Sequence, residues 1–165
     1  MSTLTVEEIV NNLNDVRGFD AEIGQKFTSI DADGLVATLE LSAKHHQPFG
    51  IVHGGVYCAV AESAASMSGA YWLHATGIGG TAVGVNNSTD FLRSVSEGTI
   101  SIRTSPIHRG RRQQLWSVEF TDADGNLLAR SQVRLQNIEL PDSSSQNTAS
   151  QNTASQDTSS PKGGE

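Results

Sequence analysis

A glycine-rich segment and a single acid that follows it are the residues best suited to chemistry in this chain. The segment runs from Gln47 to Gly55 as QPFGIVHGG, and a stretch of small residues from Val56 to Ala70 follows, with Glu62 as its one acid. Proline and paired glycines bend the backbone and free its amides where a helix begins, and helix N-termini bind and polarise oxygen. The pattern indicates a place to hold a carbonyl.

Glu62 is unusual for its surroundings. An ionised carboxylate among small uncharged side chains costs several kcal/mol unless hydrogen bonds or function compensate for it. Such an acid could satisfy buried donors or reach the surface, but the adjoining glycine-rich segment and the absence of other acids nearby favour catalysis. Ser66 lies one helical turn later on the same face, where it either steers a water or a carboxylate oxygen or is a small core residue.

The spacing of Gly54 and Glu62 limits whether both residues of one chain can act on the same carbonyl group. Eight helical residues with a rise of about 1.5 Å each separate them by roughly 12 Å, too far for both to contact one carbonyl carbon. Two chains that pair antiparallel could bring the helix start of one beside the acid of the other. We therefore predict a dimer with shared sites.

The elements that must position these residues follow from periodicity. A capping box at Thr5 and Glu8 predicts a short N-terminal helix, and the turn from Asp31 to Gly34 predicts a hairpin. The segment 56–70 has no charged face, which is typical of a buried helix that an antiparallel sheet wraps around. Alternating apolar residues and polar turns predict the later strands, at 81–91, 99–105, 114–121 and 127–136. The predicted fold class is α+β.

A change in composition at Pro141 divides the chain into two parts. Residues 1–140 are long enough to bury a core and form the predicted domain. Residues 141–165 are rich in Ser, Gln, Asn and Thr, and the unit SQNTA occurs twice in succession before SQDTS. A segment with so little apolar surface cannot gain enough free energy from burial to offset the conformational entropy that it would lose on ordering. The composition therefore predicts a disordered tail.

Charge and composition disfavour several other classes of protein. The 165-residue chain has a net charge of −7, which makes nucleic acid and anionic membranes poor partners. No apolar run approaches the ~18 residues of a membrane span, and the N-terminus lacks the layout of a signal peptide, so a cytoplasmic location is predicted. The one cysteine, Cys58, excludes an internal disulfide, and the histidines show no metal-ligand spacing.

Two later segments complete a resemblance that begins with the QPFGIVHGG stretch and Glu62. They are a Phe-Leu-Arg-x-x-x-x-Gly strand exit at 91–98 and the run His108-Arg109-Gly110-Arg111. Together, from Thr5 to Ile138, these motifs resemble the hotdog-fold acyl-CoA thioesterases. The resemblance is greatest to the branch that holds phenylacetate-pathway thioesterases, 1,4-dihydroxy-2-naphthoyl-CoA hydrolase and the enterobactin proofreading thioesterase. It implies a hotdog fold, assembled as a dimer or as a homotetramer built from two dimers.

The resemblance also implies roles for five residues. Gln47 and His53 match residues beside the thioester, and Gly54 matches the glycine whose amide polarises the thioester carbonyl. Glu62 matches the acid that the partner supplies as nucleophile or general base, and Ser66 matches a residue that supports this acid or its water. His53 has an alternative role that is as well supported, because a histidine at a helix start can simply hold the bend by hydrogen bonding to the backbone.

The same resemblance places the nucleotide end of coenzyme A around the basic turn and the strand exit. Guanidinium groups suit phosphate oxygens, although a run of charges is more often a solvated turn. Gly84 is expected to leave room for the pantetheine arm or the acyl group. The predicted substrate-binding residues are Gly55, Gly84, Phe91, Leu92, Arg93, Ser94, His108, Arg109, Gly110, Arg111 and Arg112.

The predicted activity is hydrolysis of a small or aromatic acyl-CoA to the free acid and CoA. Coenzyme A enters as part of the substrate, and no separate cofactor or metal is expected. Two other classes stay open: a hotdog hydratase or dehydratase, in which a histidine and an acid converge on the acyl chain, and a non-catalytic acyl-CoA-binding dimer. Only hydrolysis releases a free thiol.

Overall fold

The chain folds into one antiparallel sheet with a long helix packed on it. The computed structural model describes residues 5–15 and 17–139, so the predicted tail at 141–165 lies outside the described residues. The elements in chain order are α1 (Val6–Asn14), α2 (Phe19–Ile23), β1 (Gln25–Asp31), β2 (Gly34–Glu40), a 3-10 turn (Ala43–His45), α3 (Gly54–Ala75), β3 (Thr81–Phe91), β4 (Thr99–Arg109), β5 (Gln113–Thr121) and β6 (Leu127–Ile138).

The six strands form a single sheet in the order β1-β2-β4-β5-β6-β3, and every neighbouring pair is antiparallel. The core lies between this sheet and α3. Its largest buried side chains are Trp116, Phe120, Leu73, Ile100 and Ile102, which come from β4, β5 and α3. The predicted α+β class and its hotdog arrangement are confirmed.

The small residues of α3 allow the helix to lie close to the sheet. A Cβ added at Gly69 would come within 2.5 Å of Leu135 Cδ1. The sheet covers only one side of α3, since eight of its 22 residues are buried. The other side, which includes Cys58, Glu62 and Ser66, stays half-exposed. The sequence predicted a helix wrapped by sheet, and one chain supplies that cover on one side.

The element boundaries differ most from the sequence prediction at β4 and α3. The strand predicted to end at Ser105 continues to Arg109, because a register shift between Pro106 and His108 lets the strand pass the proline. The helix predicted over 56–70 extends to Gly54–Ala75. The capping box at Thr5 and Glu8 is present as predicted.

The two edges of the sheet differ in protection. The β1 edge is covered by α1, whose Asn14 side chain accepts from Phe27 N and donates to Phe27 O, both at 2.8 Å. The β3 edge has no partner strand among residues 5–15 and 17–139, and Val83 and Val85 are 40% and 53% exposed on β3. A long unprotected edge with apolar side chains is a natural site for strand pairing with another chain.

Among the described residues, none of the helices combines the length and apolar character needed to cross a bilayer.

Candidate active site

His53 fixes the start of α3. It is the N-cap residue, and its Nδ1 accepts a hydrogen bond from Gly55 N at 2.8 Å. In the neutral ring the proton therefore lies on Nε2. This hydrogen bond fits the alternative role predicted for His53, in which the side chain holds the bend by bonding to the backbone. It also uses the amide of Gly55, a residue predicted to bind substrate.

The Gly54 amide is left free by this cap. Val56 N donates to His53 O and Gly55 N donates to His53 Nδ1, whereas Gly54 N has no acceptor in the described parts of the chain. The first amides of a helix have no partner within the helix and carry its positive end. Gly54 therefore offers an N–H to an incoming oxygen.

The Gly54 amide belongs to a pocket of about 390 Å³ that gathers six predicted site residues. The ring of Phe91 lies against Gly54, where an added Cβ would be 2.7 Å from Phe91 Cζ. The Gln47 side chain stabilises the preceding loop, since its Oε1 accepts from Phe49 N at 2.7 Å. The pocket is lined by Gln47, Ile51, Val52, Gly54, Tyr57, Phe91, Leu92, Arg93, Ser94 and Val95.

Tyr57 lines this pocket but belongs to none of the motifs that predicted the site. Its side chain is 4% exposed and its ring packs at 6.0 Å from Phe91 and edge-on at 5.1 Å from Phe120. Its hydroxyl is buried and has no hydrogen-bond partner among residues 5–15 and 17–139. Burial raises the pKa of Tyr57 above its usual value. An aromatic residue in a run of small ones was the available signal.

Glu62 lies on the half-exposed side of α3, facing β3. Its Oε2 accepts a hydrogen bond from Asn87 Nδ2 at 3.2 Å. A Cβ added at Gly84 would be 1.5 Å from Glu62 Oε1, so only glycine is compatible with the carboxylate in this position. The room that Gly84 leaves, expected from the sequence to serve the pantetheine arm or acyl group, is taken up by Glu62 in this structure. Asn87 was not predicted.

The carboxylate and the free amide remain apart within one chain. Gly54 lies beside Phe91 at the end of β3, while Glu62 lies beside Gly84, seven residues earlier on the same strand. Ser66 is half-exposed, and its hydroxyl has no hydrogen-bond partner in the described parts of the chain. One chain thus presents the two halves of a site at separate places.

The predicted phosphate-binding arginines do not meet in one chain either. Arg93 follows β3 near Leu128, whereas Arg112 lies beside Asn137 at the opposite end of the sheet. Asn137 pairs with Ala82 and Ala129 with Phe91, so about nine residues of β3, or roughly 30 Å, separate the two ends. His108, Gly110, Arg111 and Arg112 line a second pocket at that far end.

Arg109 is engaged within the chain. Its guanidinium donates to Ala32 O at 2.5 Å, pairs with Asp33 at 3.1 Å and lies 5.7 Å from the Trp72 ring centre. These contacts join the β1–β2 turn to β4. Arg93, Arg111 and Arg112 have no salt bridge within the described residues and keep their guanidinium groups available.

Within residues 5–15 and 17–139, no cluster of three or more His, Cys, Asp and Glu side chains could hold a metal ion. The described residues offer a polarising amide at Gly54 and an acid at Glu62, each in a defined position.

Known proteins are similar to this chain in sequence and in fold. Residues 49–129 match the model of the family described as "Thioesterase superfamily". A Mycobacterium tuberculosis protein named "Putative esterase Rv1847" is 53% identical over 127 residues, covering 77% of this chain and 91% of its own length. Its solved structure has a TM-score of 0.72 and 52% identity over 74% of this chain and 98% of that one.

Two further relatives carry the name thioesterase. The proofreading thioesterase EntH of Cronobacter turicensis is 32% identical over 130 residues, covering 79% of this chain and 91% of its own. The structure of the Haemophilus influenzae thioesterase HI1161 is 29% identical with a TM-score of 0.75, over 86% of this chain and 96% of that one. The prediction of a thioester hydrolase is confirmed at the level of the family: this chain belongs to the thioesterase superfamily and has its hotdog fold.

Proposed function

We propose that the chain hydrolyses acyl-CoA thioesters to the free acid and CoA, at sites shared between two copies. The unused Gly54 amide, which opens onto a pocket containing Gln47 and Phe91, is the observation that carries this proposal. It would donate to the thioester oxygen as negative charge develops there. A donor in this position contributes a few kcal/mol to transition-state stabilisation.

The acid of this reaction is Glu62 of the partner subunit. It either attacks the carbonyl carbon to form an anhydride, which water then hydrolyses, or it removes a proton from a water that attacks. In both routes the carbon–sulfur bond breaks and CoA leaves as a thiolate, which is a good leaving group near neutral pH. Single-turnover hydrolysis in oxygen-18 water identifies the anhydride route if Glu62 becomes labelled, because only water that attacks the Glu62 carbonyl carbon of the anhydride leaves its oxygen there. The general-base route labels the free acid alone, as does attack of water at the acyl carbon of the anhydride.

The free edge of β3 supports the pairing that such sharing requires. Two copies of β3 that pair antiparallel about a two-fold axis also set their α3 helices antiparallel. In a register that puts Phe91 opposite Gly84 of the partner subunit, Gly54 lies beside the partner's Glu62. Val83 and Val85 would be covered by the same contact. A dimer of such dimers is the proposed assembly.

An aromatic acyl group suits the lining of this pocket. Tyr57 and Phe91 supply aromatic surface against which a planar ring can pack. Arg93 on one subunit, with Arg111 or Arg112 on another, would bind the phosphates of coenzyme A. The proposed substrates are aryl-CoA thioesters such as hydroxybenzoyl-, phenylacetyl- or dihydroxynaphthoyl-CoA.

Glu62→Gln tests the proposal. It keeps the size and hydrogen-bonding reach of the side chain but removes its basicity and nucleophilicity. We expect thiol release from benzoyl-, phenylacetyl- and dihydroxynaphthoyl-CoA to fall by roughly 10²- to 10⁴-fold, with substrate binding retained. Glu40→Gln, which changes an exposed acid at the end of β2, is the matched control and should retain normal turnover.

Four results would overturn the proposal or a part of it. Near-normal turnover by Glu62→Gln would remove Glu62 from the mechanism. Saturable binding of acyl-CoA without thiol release by the unmodified protein would identify a binding module. Conversion of an enoyl-CoA without thiol release would identify a hydratase. Release that is faster with long straight-chain acyl-CoAs than with aryl-CoAs would contradict the proposed substrate class.

A further inference from the structure

We infer that Asn87 is a positioning residue for the Glu62 carboxylate, and that Thr89 and Ser131 fix Asn87 through a directed chain of hydrogen bonds. The inference rests on the proposed function, since it assigns a role to the residue that holds the proposed catalytic acid. Asn87 and Thr89 lie on β3 and Ser131 lies on β6, and none of the three belongs to a motif found in the sequence.

Asn87 places both protons of its amide nitrogen on oxygen atoms of α3. Its Nδ2 donates to Cys58 O at 2.9 Å and to Glu62 Oε2 at 3.2 Å. Neither a backbone carbonyl nor an ionised carboxylate can donate in return. The Asn87 amide therefore joins β3 to α3 and restricts one oxygen of the acid.

The orientation of the Asn87 amide is set from its other side. Thr89 Oγ1 donates to Asn87 Oδ1 at 2.9 Å, which identifies the oxygen of the amide. Thr89 Oγ1 also lies 2.8 Å from Ser131 Oγ, and Ser131 is 1% exposed. Since the Thr89 proton is already used, Ser131 must donate to Thr89. All hydrogen bonds thus run in one direction, from Ser131 to Glu62.

An irregularity in β3 brings Gly84 and Asn87 to the same carboxylate. Side chains alternate between the two faces of a strand, so residues three apart would normally face opposite ways. The register shift between Gly84 and Asn86 inserts Val85 as an extra residue. Gly84 then pairs with the buried Leu135, and Asn87 with the buried Val133. Bulges often re-aim side chains beside active sites.

The consequence for Glu62 is a carboxylate held on both sides. Asn87 bonds Oε2, and the missing side chain at Gly84 admits Oε1. On the half-exposed side of α3 a glutamate would otherwise exchange among rotamers, and few of them would face the thioester of the partner site. Misplacement of a reacting group by about 1 Å can reduce turnover 10²-fold. Asn87 should therefore affect kcat far more than KM.

Asn87→Asp is the sharpest test, because it preserves shape but removes the donor and sets a second acid against Glu62. We expect kcat for aryl-CoA hydrolysis to fall about 10- to 100-fold while KM stays within about twofold. Gln132→Glu is the matched control. It makes the same amide-to-acid change on the exposed face of β6, and its kcat should equal that of the unmodified protein.

Thr89→Val and Thr89→Ser test the chain of hydrogen bonds behind Asn87. The valine keeps the shape and loses the hydroxyl, so kcat should fall about 2- to 10-fold, which corresponds to one hydrogen bond. The serine keeps the hydroxyl and should recover most of this loss. In the Asn87→Asp background Thr89→Val should have no further effect, because both changes act through one path.

The outcomes separate this inference from the proposed function. If Glu62→Gln abolishes hydrolysis but Asn87→Asp retains kcat within twofold, only the positioning role is wrong. The proposed path of hydrogen bonds is wrong if Thr89→Ser has a kcat as low as that of Thr89→Val. It is also wrong if kcat of the variant with both Asn87→Asp and Thr89→Val falls by the product of the two single-variant factors. If the unmodified protein releases no thiol from any acyl-CoA, the proposed function fails and the inference fails with it.

Discussion

At the scale of single residues, the site combines positions that a sequence motif reveals with positions that only the fold reveals. Gly54 and Glu62 stand out in the sequence because glycines at a helix start and an acid among small residues are unusual. Asn87 gives no such signal, since its contact with Glu62 depends on an extra residue inserted at Val85. The alternation of side chains in a sequence predicts regular strands only. It cannot reveal a bulge or the contacts that a bulge creates.

Tyr57 provides a prediction that does not depend on catalysis. Its buried hydroxyl has no partner among the described residues, and burial raises its pKa. In Tyr57→Phe the cost of burying that hydroxyl disappears. We expect the free energy of unfolding at pH 7 to stay equal or rise by up to about 1 kcal/mol, as measured by urea denaturation.

The pH dependence of Tyr57 has a definite sign. The unfolded chain loses this phenolic proton near pH 10, while the folded chain keeps it to a higher pH because its pKa is raised. Above about pH 10 the unfolded state therefore binds fewer protons, and stability falls as pH rises. Tyr57→Phe should show a shallower decline between pH 9 and pH 11. An equal decline in both proteins would contradict the burial of this hydroxyl.

At the scale of elements, strands and helices were predictable where their patterns are regular. The capping box marked α1 correctly, and the strands 81–91 and 127–136 nearly match β3 and β6. The short helix α2 was missed because five residues cannot show a helical period. The end of β4 was missed because Pro106 normally interrupts a strand, and here a register shift accommodates it.

The N-terminus of α3 permits a test of its free amide. Gly54 is the first helical residue, a position where proline fits, and His53 has φ −68° and ψ 131°, which a following proline also favours. Gly54→Pro should therefore retain the helix and lose only the N–H. We expect thiol release to fall about 10²- to 10³-fold.

Gly54→Ala is the control for this variant. Its Cβ meets the same Phe91 ring at 2.7 Å, but its N–H remains. Phe91 is 56% exposed and can move aside, so the rate of thiol release by Gly54→Ala should fall by less than about tenfold. Equal losses in the two variants would mean that crowding by Phe91, and not the amide, controls the rate. Circular dichroism should show the same helix content in both.

At the scale of the whole molecule, one chain separates what the proposed reaction must bring together. The amide pocket and the carboxylate lie along opposite parts of β3, and Arg93 lies at the other end of the sheet from Arg111 and Arg112. Asn14 closes the β1 edge, whereas the β3 edge has no partner strand within the described part of the chain. The prediction of a second copy rests on the helix rise between Gly54 and Glu62, and it stays a prediction. The edge proposed for pairing with that copy could not be predicted, because only the sheet order identifies β3 as an edge.

Mixed dimers test whether sites are shared between subunits. Two differently tagged chains, one with Glu62→Gln and the other with Gly54→Pro, are co-expressed and purified through both tags. If each site takes its amide from one chain and its acid from the other, one site carries both changes and the second carries neither. The mixed dimer should then hydrolyse aryl-CoA at about half the rate of the unmodified dimer. Sites formed within single chains would give no activity above that of the parent variants.

The reciprocal dimer inverts this expectation and serves as its control. One chain carries both Glu62→Gln and Gly54→Pro, and its partner is unmodified. With shared sites, each site now lacks either the amide or the acid, so thiol release should fall to the level of the single variants. With sites formed within one chain, the unmodified subunit would work normally and the dimer would keep about half of its rate. Because the two arrangements contain the same substitutions in the same number, a difference between them can arise only from which residues meet across the subunit boundary.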